Sequence, residues 1–464
     1  MKNGNLGISQ HVLVENQFEP AKRLPQYIAC LSATLGALAA GMVLGWTSSA
    51  GTNGQDLQDL YGFKISENDF SLLSSLAMLG AGAMCIPIGL LTDLIGRKNS
   101  MLLMVVPFTV GWLLIILSYS VAMFCVGRFI TGAASGAFCV AAPMYTAEIS
   151  ESSIRGSVGI FFQLLLTVGI ALSYIFGYFV NMFILSIISA ITPLIFFIVF
   201  IFMPESPVYY LQKNNEDGAR KSFIKLYGAQ YDIESEIREK KHIIEEKRRN
   251  KISFMTMIAS KVTLKGFIIA YGLMIFQQFS GVNTIIFYAT TIFKEAGSKI
   301  EPSICTIIIG IIQVISVFVS SLVVDRVGRR ILLLISIIFL FLTTFILGVY
   351  YYLFNDIKVN VESITWLPLL SVCIFIIMFS LGFGPLPWMM LGEIFAPEVK
   401  GVAASSAGLL NWLLAFIVTK FYNVVSMAAI FWIFSGISAI AIFFVYILVP
   451  ETKGKSLEDI LKDL

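Results

Sequence analysis

The sequence predicts an all-α polytopic membrane protein whose twelve transmembrane helices form two pseudo-symmetric six-helix bundles. Three observations carry this. The 464 residues are 57% hydrophobic and only 13% charged, with a mean hydropathy of +0.84; soluble domains carry about 25% charged residues. Apolar runs of membrane-spanning length recur along the chain. The second half repeats the polar punctuation of the first.

A hydrocarbon core about 30 Å thick needs about 20 apolar residues per helix. Twelve runs meet this, near 26–48, 70–91, 101–119, 122–145, 157–179, 182–203, 267–292, 303–323, 331–352, 366–391, 403–424 and 428–449. Runs 3 and 4 are nearly fused, as are 5 and 6, which fits hairpins with short turns. Residues 1–25 are polar, so the first run reads as a span and not as a leader.

The duplication lies between the runs. Asp93-x-x-Gly96-Arg97-Lys98 recurs as Asp325-x-x-Gly328-Arg329-Arg330. Glu148, seven residues before Arg155-Gly156, recurs as Glu393 before Lys400-Gly401. Pro204-Glu205-Ser206 recurs as Pro450-Glu451-Thr452. The offsets of 232, 245 and 246 residues mean that a whole half is repeated. Tandem membrane halves around a central site are an architecture of secondary transporters. The expected organisation is a polar tail (1–25), a six-helix bundle (26–203), a hydrophilic linker with short helices (204–266), a second bundle (267–449) and a tail (450–464).

Charge sets the orientation. With the N-terminus inside, only Lys64, Lys294, Lys299 and Lys358 of the 32 basic residues fall in outer loops, and Arg128 and Lys420 fall within runs. The rest lie inside, which places both termini in the cytosol. In the linker, Asp232 to Lys240 alternates charged and apolar positions at helical spacing. The six cysteines sit in or at the ends of runs and read as packing residues, not a disulfide framework. His11 and His242 are the only histidines, both in polar segments. No nucleophile–base pair or metal-ligand set lies in the runs, so an enzyme, a cofactor and a metal are not expected. The tails leave little room for a catalytic or signalling domain.

The loop residues Asp93, Arg97, Glu148, Arg155, Asp325, Arg329, Glu393 and Lys400 are expected to form a cytosolic charge network that acts as an inner gate. Exposed pairs contribute only about 0–1 kcal/mol each, but several together can bias two states a few kcal/mol apart. Amides recur in the runs: Gln163, Gln277, Gln278, Asn283, Gln313 and Asn411. An uncharged amide both donates and accepts, so it matches a hydroxyl-rich solute while remaining tolerable in a membrane. Trp388 follows Gly382, Gly384, Pro385 and Pro387, which interrupt run 10. Broken helices are accommodated beside protein or a cavity, and an indole offers a flat apolar face with one hydrogen-bond donor.

These motifs, with Gly127-Arg128, Pro143-Met-Tyr145-x-x-Glu148, Gln277-Gln278-x-Ser280-Gly281-x-Asn283, Gly384-Pro385-x-Pro387-Trp388, Asn411-Trp412 and Pro450-Glu451-Thr452-Lys453-Gly454, resemble the sugar porter family of the major facilitator superfamily. The resemblance covers nearly the whole chain. It is strongest to the insect facilitative trehalose and hexose carriers and the animal glucose facilitators. It implies substrate contacts at Gln163, Gln277, Gln278, Asn283, Gln313, Trp388 and Asn411, and an outer gate at Phe287 and Tyr288. Departures from the family pattern are Phe287 before Tyr288, Ser380 for a glutamate, Gln313 for an asparagine, Val208 for an arginine and Lys400 for an arginine. Proton-coupled relatives carry an aspartate in run 1, where this chain reads Leu44-Gly45-Trp46-Thr47.

The implied function is facilitative transport of a hexose or trehalose by alternating access, by a plasma-membrane monomer whose partners are the sugar and the bilayer, with no nucleic acid. A proton–sugar symporter and a sugar sensor with a transporter fold remain the alternatives. Arg128 is expected to be a structural cation satisfied by neighbouring polar groups.

Overall fold

The computed structural model describes residues 19–51, 54–151, 153–249, 260–395, 397–455 and 459–460. Twelve helices or helix pairs among them are long and apolar enough to cross a membrane. The first half comprises α1 (Arg23–Trp46), a short α2 (Gln55–Tyr61), α3 (Glu67–Ile95), α4 (Arg97–Ile116), α5 (Val121–Ile149), α6 (Arg155–Phe179) and α7 (Met182–Phe200). The linker forms α8 (Pro207–Gln212), α9 (Glu216–Tyr227) and α10 (Ile233–Arg249). The second half comprises α11 (Lys261–Phe279), α12 (Val282–Glu295), α13 (Pro302–Val327), α14 (Arg329–Tyr351), α15 (Leu367–Leu381), α16 (Leu386–Ile394), α17 (Pro397–Lys420) and α18 (Met427–Leu448).

Local chemistry sets the helix starts. Ser66 and Asp69 form a reciprocal capping box ahead of α3. Ser120, Asn181, Ser260 and Ser426 each accept a first-turn amide at the starts of α5, α7, α11 and α18. The helices overrun the apolar runs: α3 continues to Ile95 and α13 to Val327. Their ends carry the charged motif residues beyond the hydrocarbon. A single glycine separates α3 from α4 and α13 from α14. Gly96 (φ +99°) and Gly328 (φ +108°) adopt backbone conformations that L side chains resist.

Packing differs between the halves. In the first, glycines bring backbones together: a Cβ at Gly80 would lie 2.1 Å from the Phe129 carbonyl oxygen, and one at Gly41 would lie 2.0 Å from that of Leu166. This is small-residue helix packing, which gains close van der Waals contact where lipid is as apolar as leucine. In the second half, aromatic rings plug the gaps. Phe444 faces Gly272, Trp432 faces Gly348 and Phe434 faces Gly281.

With six spans per half, the termini and the linker share one face, here the linker face. The halves meet through α3 with α17 and α6 with α13. Their side-chain bonds gather toward the opposite face: Lys420 Nζ, ending α17, donates to Asn68 Oδ1 at 2.7 Å and Ser71 Oγ at 3.1 Å, at the start of α3. Toward the linker face, space stays open beside several glycines of α3, α6 and α17. A Cβ at Gly89, Gly156, Gly159 or Gly401 would meet nothing within 4 Å.

Candidate functional site: an amide chain between two helix breaks

The tenth span is interrupted as its glycines and prolines predict, and the seventh, which reads as one continuous apolar run, is interrupted as well. Gly281 (φ +93°) separates α11 from α12, and its Cα packs so closely on Phe434 that a Cβ would lie 2.4 Å from that ring. Residues 382–385 separate α15 from α16. A break frees backbone groups that the bilayer cannot satisfy. Here the partner is a side chain: Gln277 Nε2 donates to the Phe383 and Gly384 carbonyls at 2.6 and 2.8 Å. The other exposed group, Phe383 N–H, donates to Ser336 Oγ at 3.1 Å.

From Gln277 an unbroken chain of amides runs across the half. Asn411 Nδ2 donates to Gln277 Oε1 at 2.7 Å and to Met274 Sδ at 3.3 Å. Gln278 Nε2 donates to Asn411 Oδ1 at 2.8 Å, and Asn283 Nδ2 donates to Gln278 Oε1. Gln277, Gln278 and Asn411 are buried, whereas Asn283 is half-buried at the end of the chain. Four of the six membrane amides therefore form one network. Gln313, on α13, is buried and its Oε1 has no hydrogen-bond partner. Such an orphaned acceptor implies a missing donor. Gln163 is half-buried on α6, in the other half, and no side-chain bond joins it to the chain of amides among the described residues. Trp388 sits on α16, 41% exposed, with its ring 3.7 Å from where a Gly408 Cβ would stand. Ser380 is buried just before the second break.

Toward the opposite face, Phe287 and Tyr288 are fully buried. The Tyr288 ring stacks on Tyr422 with centroids 4.2 Å apart and meets Phe70 of the first half edge-on. Its hydroxyl donates to the Thr419 carbonyl at 3.1 Å. Tyr288 itself is non-helical (φ −118°, ψ 19°), a kink between the Ile286 carbonyl and the Thr290 N–H. The first half takes up both groups. Tyr174 Oη donates to Ile286 O at 2.8 Å, and Thr290 N donates to Ser48 Oγ at 3.2 Å. These two bonds between the halves have no signature in the sequence beyond the aromatic pair.

On the linker face the repeated motifs build two equivalent clusters. Arg97 grips Glu148 with a fork, Nε to Oε2 at 3.0 Å and Nη2 to Oε1 at 2.9 Å, and pairs with Asp93 at 3.2 Å. Arg329 donates to Glu393 through Oε1, at 3.3 and 3.1 Å. The Asp325 side chain lies outside the described residues. These pairs lie within a half, so they tie helix ends together and do not clasp one half to the other. Arg155 and Lys400 donate to the Ser150 and Gly392 carbonyls at 3.4 and 3.2 Å.

The sequence reading left Glu205 and Glu451 out of the network. They sit at its centre. The amides of Arg97 and Lys98 donate to Glu205, and those of Arg329 and Arg330 to Glu451, at 2.9 to 3.1 Å. Each carboxylate thus holds the positive N-terminal end of a helix. Their neighbours complete the motif: Ser206 Oγ donates to Glu148 and Thr452 Oγ1 to Glu393. The repeated Pro-Glu-Ser/Thr was the available signal. Burial pushes the Glu205 carboxyl above its ordinary value, against the pull of backbone amides. Burial also raises Glu451, but the amides of Lys453, Arg329, Arg330 and Thr452 outweigh it and hold that carboxyl below the ordinary value.

Arg128 is fully buried without a carboxylate partner among the described residues. Its guanidinium donates to Thr47 Oγ1 at 2.9 Å and to the Val43 and Leu73 carbonyls at 3.0 and 3.3 Å. It also lies 5.2 Å from the Trp46 ring centroid.

A family model described as sugar (and other) transporter matches residues 28–464. The chain belongs to this sugar transporter family. Similar curated proteins are the facilitated trehalose transporter Tret1 of Anopheles gambiae, 36% identical over 441 residues, and the facilitated trehalose transporter Tret1-2 homolog of Drosophila sechellia, 38% identical over 440. Each alignment covers 94% of this chain, with 55% of the Anopheles protein and 90% of the Drosophila protein. The chain thus spans about half the length of several relatives that it matches. Among solved structures, the proton:xylose symporter XylE bound to 6-bromo-6-deoxy-D-glucose superposes with a TM-score of 0.76 at 23% identity, over 94% of this chain and 98% of that one. An inward-open conformation of XylE from E. coli gives 0.77 at 24%, over 93% and 98%. These likenesses establish the major facilitator fold.

Proposed function

We propose that this family member is a facilitative sugar carrier that passes a hexose or trehalose between its halves by alternating access. The observation that carries the reading is the uncharged amide chain, with the orphaned Gln313 acceptor on a neighbouring helix and the half-exposed Trp388 indole. A sugar hydroxyl both donates and accepts, so it can supply the donor that Gln313 Oε1 lacks and join the free end of the chain at Asn283. Gln163, on α6 of the first half, is the contact that closure would bring in. Trp388 offers its ring to the apolar face of the sugar. Phe287 and Tyr288 form the outer gate, a reading supported by their burial and by the Tyr288 ring contact with Phe70 of the first half.

The linker face is assigned to the cytosol on the distribution of lysine and arginine, with both termini inside, in the plasma membrane. The carrier works as a monomer, with sugar and lipid as its partners and no nucleic acid. The loop clusters, including Asp93, Asp325, Arg155 and Lys400, act as rigid ends that dock when the cytosolic side closes. Arg128, held by a threonine and two carbonyls, supports a substrate-driven uniporter over a proton-coupled symporter, which requires a titrating partner for buried cations or hydroxyls.

Gln278→Ala removes the donor to Asn411 and the acceptor of Asn283 together. It is expected to lower sugar uptake efficiency about tenfold, and Trp388→Leu to lower it comparably, at unchanged surface expression. Wild-type uptake by both variants would remove the site. A panel of labelled glucose, trehalose, fructose and polyols in transport-deficient cells identifies the substrate.

A further inference from the structure

The first half has a cationic feature that sugar transport leaves unused. Lys98, in the first turn of α4, sends Nζ to the Ile201 carbonyl at 2.7 Å. Lys225, in the last turn of α9, sends Nζ to the adjacent Phe202 carbonyl at 2.5 Å. Two ammonium groups from different elements thus converge on the C-terminal end of α7. A helix C-terminus carries only about half a negative charge, so one lysine already satisfies it. Neither ammonium has a carboxylate within ion-pair distance among the described residues. The nearby Glu205 carboxylate is committed to backbone amides. Each ammonium has three donors and uses one here.

The pair is also placed at a lipid boundary. Leu194 and Ile198 on α7, and Phe202 two residues past its end, recur at four-residue spacing and are all exposed, Phe202 by 69%. This apolar stripe leads directly to the two ammonium groups. Exposed Lys221 stands one turn before Lys225 on α9. The second half lacks such a pair on α18: Arg330 donates to the Tyr446 carbonyl and covers the Tyr446 ring, while Lys453 turns to Arg326 O.

We propose that Lys98 and Lys225 bind the phosphate of an anionic phospholipid, whose acyl chain lies along Leu194, Ile198 and Phe202. The anionic character of the cytosolic leaflet supplies that chemistry at this depth. The same lysine whose backbone amide anchors Glu205 would hold the headgroup, so the lipid braces the first-half cluster.

The test is thermal unfolding of the purified full chain in detergent, titrated with phosphatidylglycerol, phosphatidylcholine or inorganic phosphate. Phosphatidylglycerol should raise the midpoint more than phosphatidylcholine. Each lysine near a membrane surface is worth about fivefold in anionic-lipid affinity, so Lys98→Gln with Lys225→Gln should need roughly 25-fold more phosphatidylglycerol. Lys225→Gln alone, on an exposed position, should need about five times more, and Lys299→Gln should match wild type. An unchanged phosphatidylglycerol response in Lys225→Gln and the double variant overturns the site. A response to inorganic phosphate equal to that of the lipid overturns the lipid assignment.

Discussion

The two linker-face clusters are built from one motif and differ in depth. In the first, Arg97 is 3% exposed and Glu148 16%; in the second, Arg329 is 12% exposed and Glu393 26%. The first uses a two-bond fork and the second a single carboxylate oxygen. The first is also roofed by the linker, where Ser222 of α9 donates to the Glu205 carbonyl and the Arg97 guanidinium lies 5.8 Å from the Tyr209 ring centroid. Duplication preserved the bonding logic, while the environment sets how much each copy contributes. The buried copy is a structural fixture of its bundle. The shallower copy is more open to water and less fixed by its surroundings.

The largest contrast is expected on removing each arginine. Arg97→Gln strands Glu148 in a buried setting and should destabilise the protein by about 3–5 kcal/mol. Arg329→Gln should lose about 1–3 kcal/mol, because water can reach Glu393. Unfolding midpoints in matched detergent would measure both, and equal losses would mean that depth does not separate the copies.

The turn glycines sharpen the comparison. A Cβ at Gly96 would stand 2.2 Å from a Glu205 carboxylate oxygen, and one at Gly328 would stand 2.8 Å from Glu451. Both alanine variants bear a conformational penalty of about 1–3 kcal/mol and both must displace a carboxylate, but Glu205 is nearer and buried whereas Glu451 is half-exposed and can give. The folded yield of Gly96→Ala should fall further than that of Gly328→Ala. The reverse order would place the tighter turn in the second half.

The smallest effect is in pH. Glu205, raised by burial, takes up a proton at a higher pH than Glu451, which backbone amides hold below the ordinary value of 4.5. The linkage signs are opposite. Glu451 stabilises its turn above that value and loses this as the pH falls through its folded-state value. The shift in Glu205 opposes folding at neutral pH, and acidification relieves it. Infrared difference spectra of Glu205→Gln and Glu451→Gln should show the Glu205 carboxyl signal emerging first on acidification. Emergence of Glu451 first would reverse the assignment.

Much of the fold was legible in the sequence because the bilayer enforces it: length and apolarity fix the spans, and the paired motifs expose the duplication. Gly382 and Gly384 marked the break in the tenth span. Gly281 gave the break in the seventh no comparable emphasis, since a lone glycine in an apolar run is ambiguous. Arg97 with Glu148 and Arg329 with Glu393 could be paired from their positions in the repeat. Glu205 and Glu451 could not, because they bind backbone amides, which every sequence contains. Likewise the amides were visible as residues, but their order, Gln277 to Asn411 to Gln278 to Asn283, depends on three-dimensional packing.

Uptake into proteoliposomes with and without an imposed pH gradient tests the central claim most directly. A binding region of uncharged amides, with Arg128 held by Thr47 and carbonyls, predicts equilibration of the sugar to its outside concentration at the same rate in both conditions. Accumulation above that concentration, driven by the proton gradient and abolished when the gradient is collapsed, would contradict it.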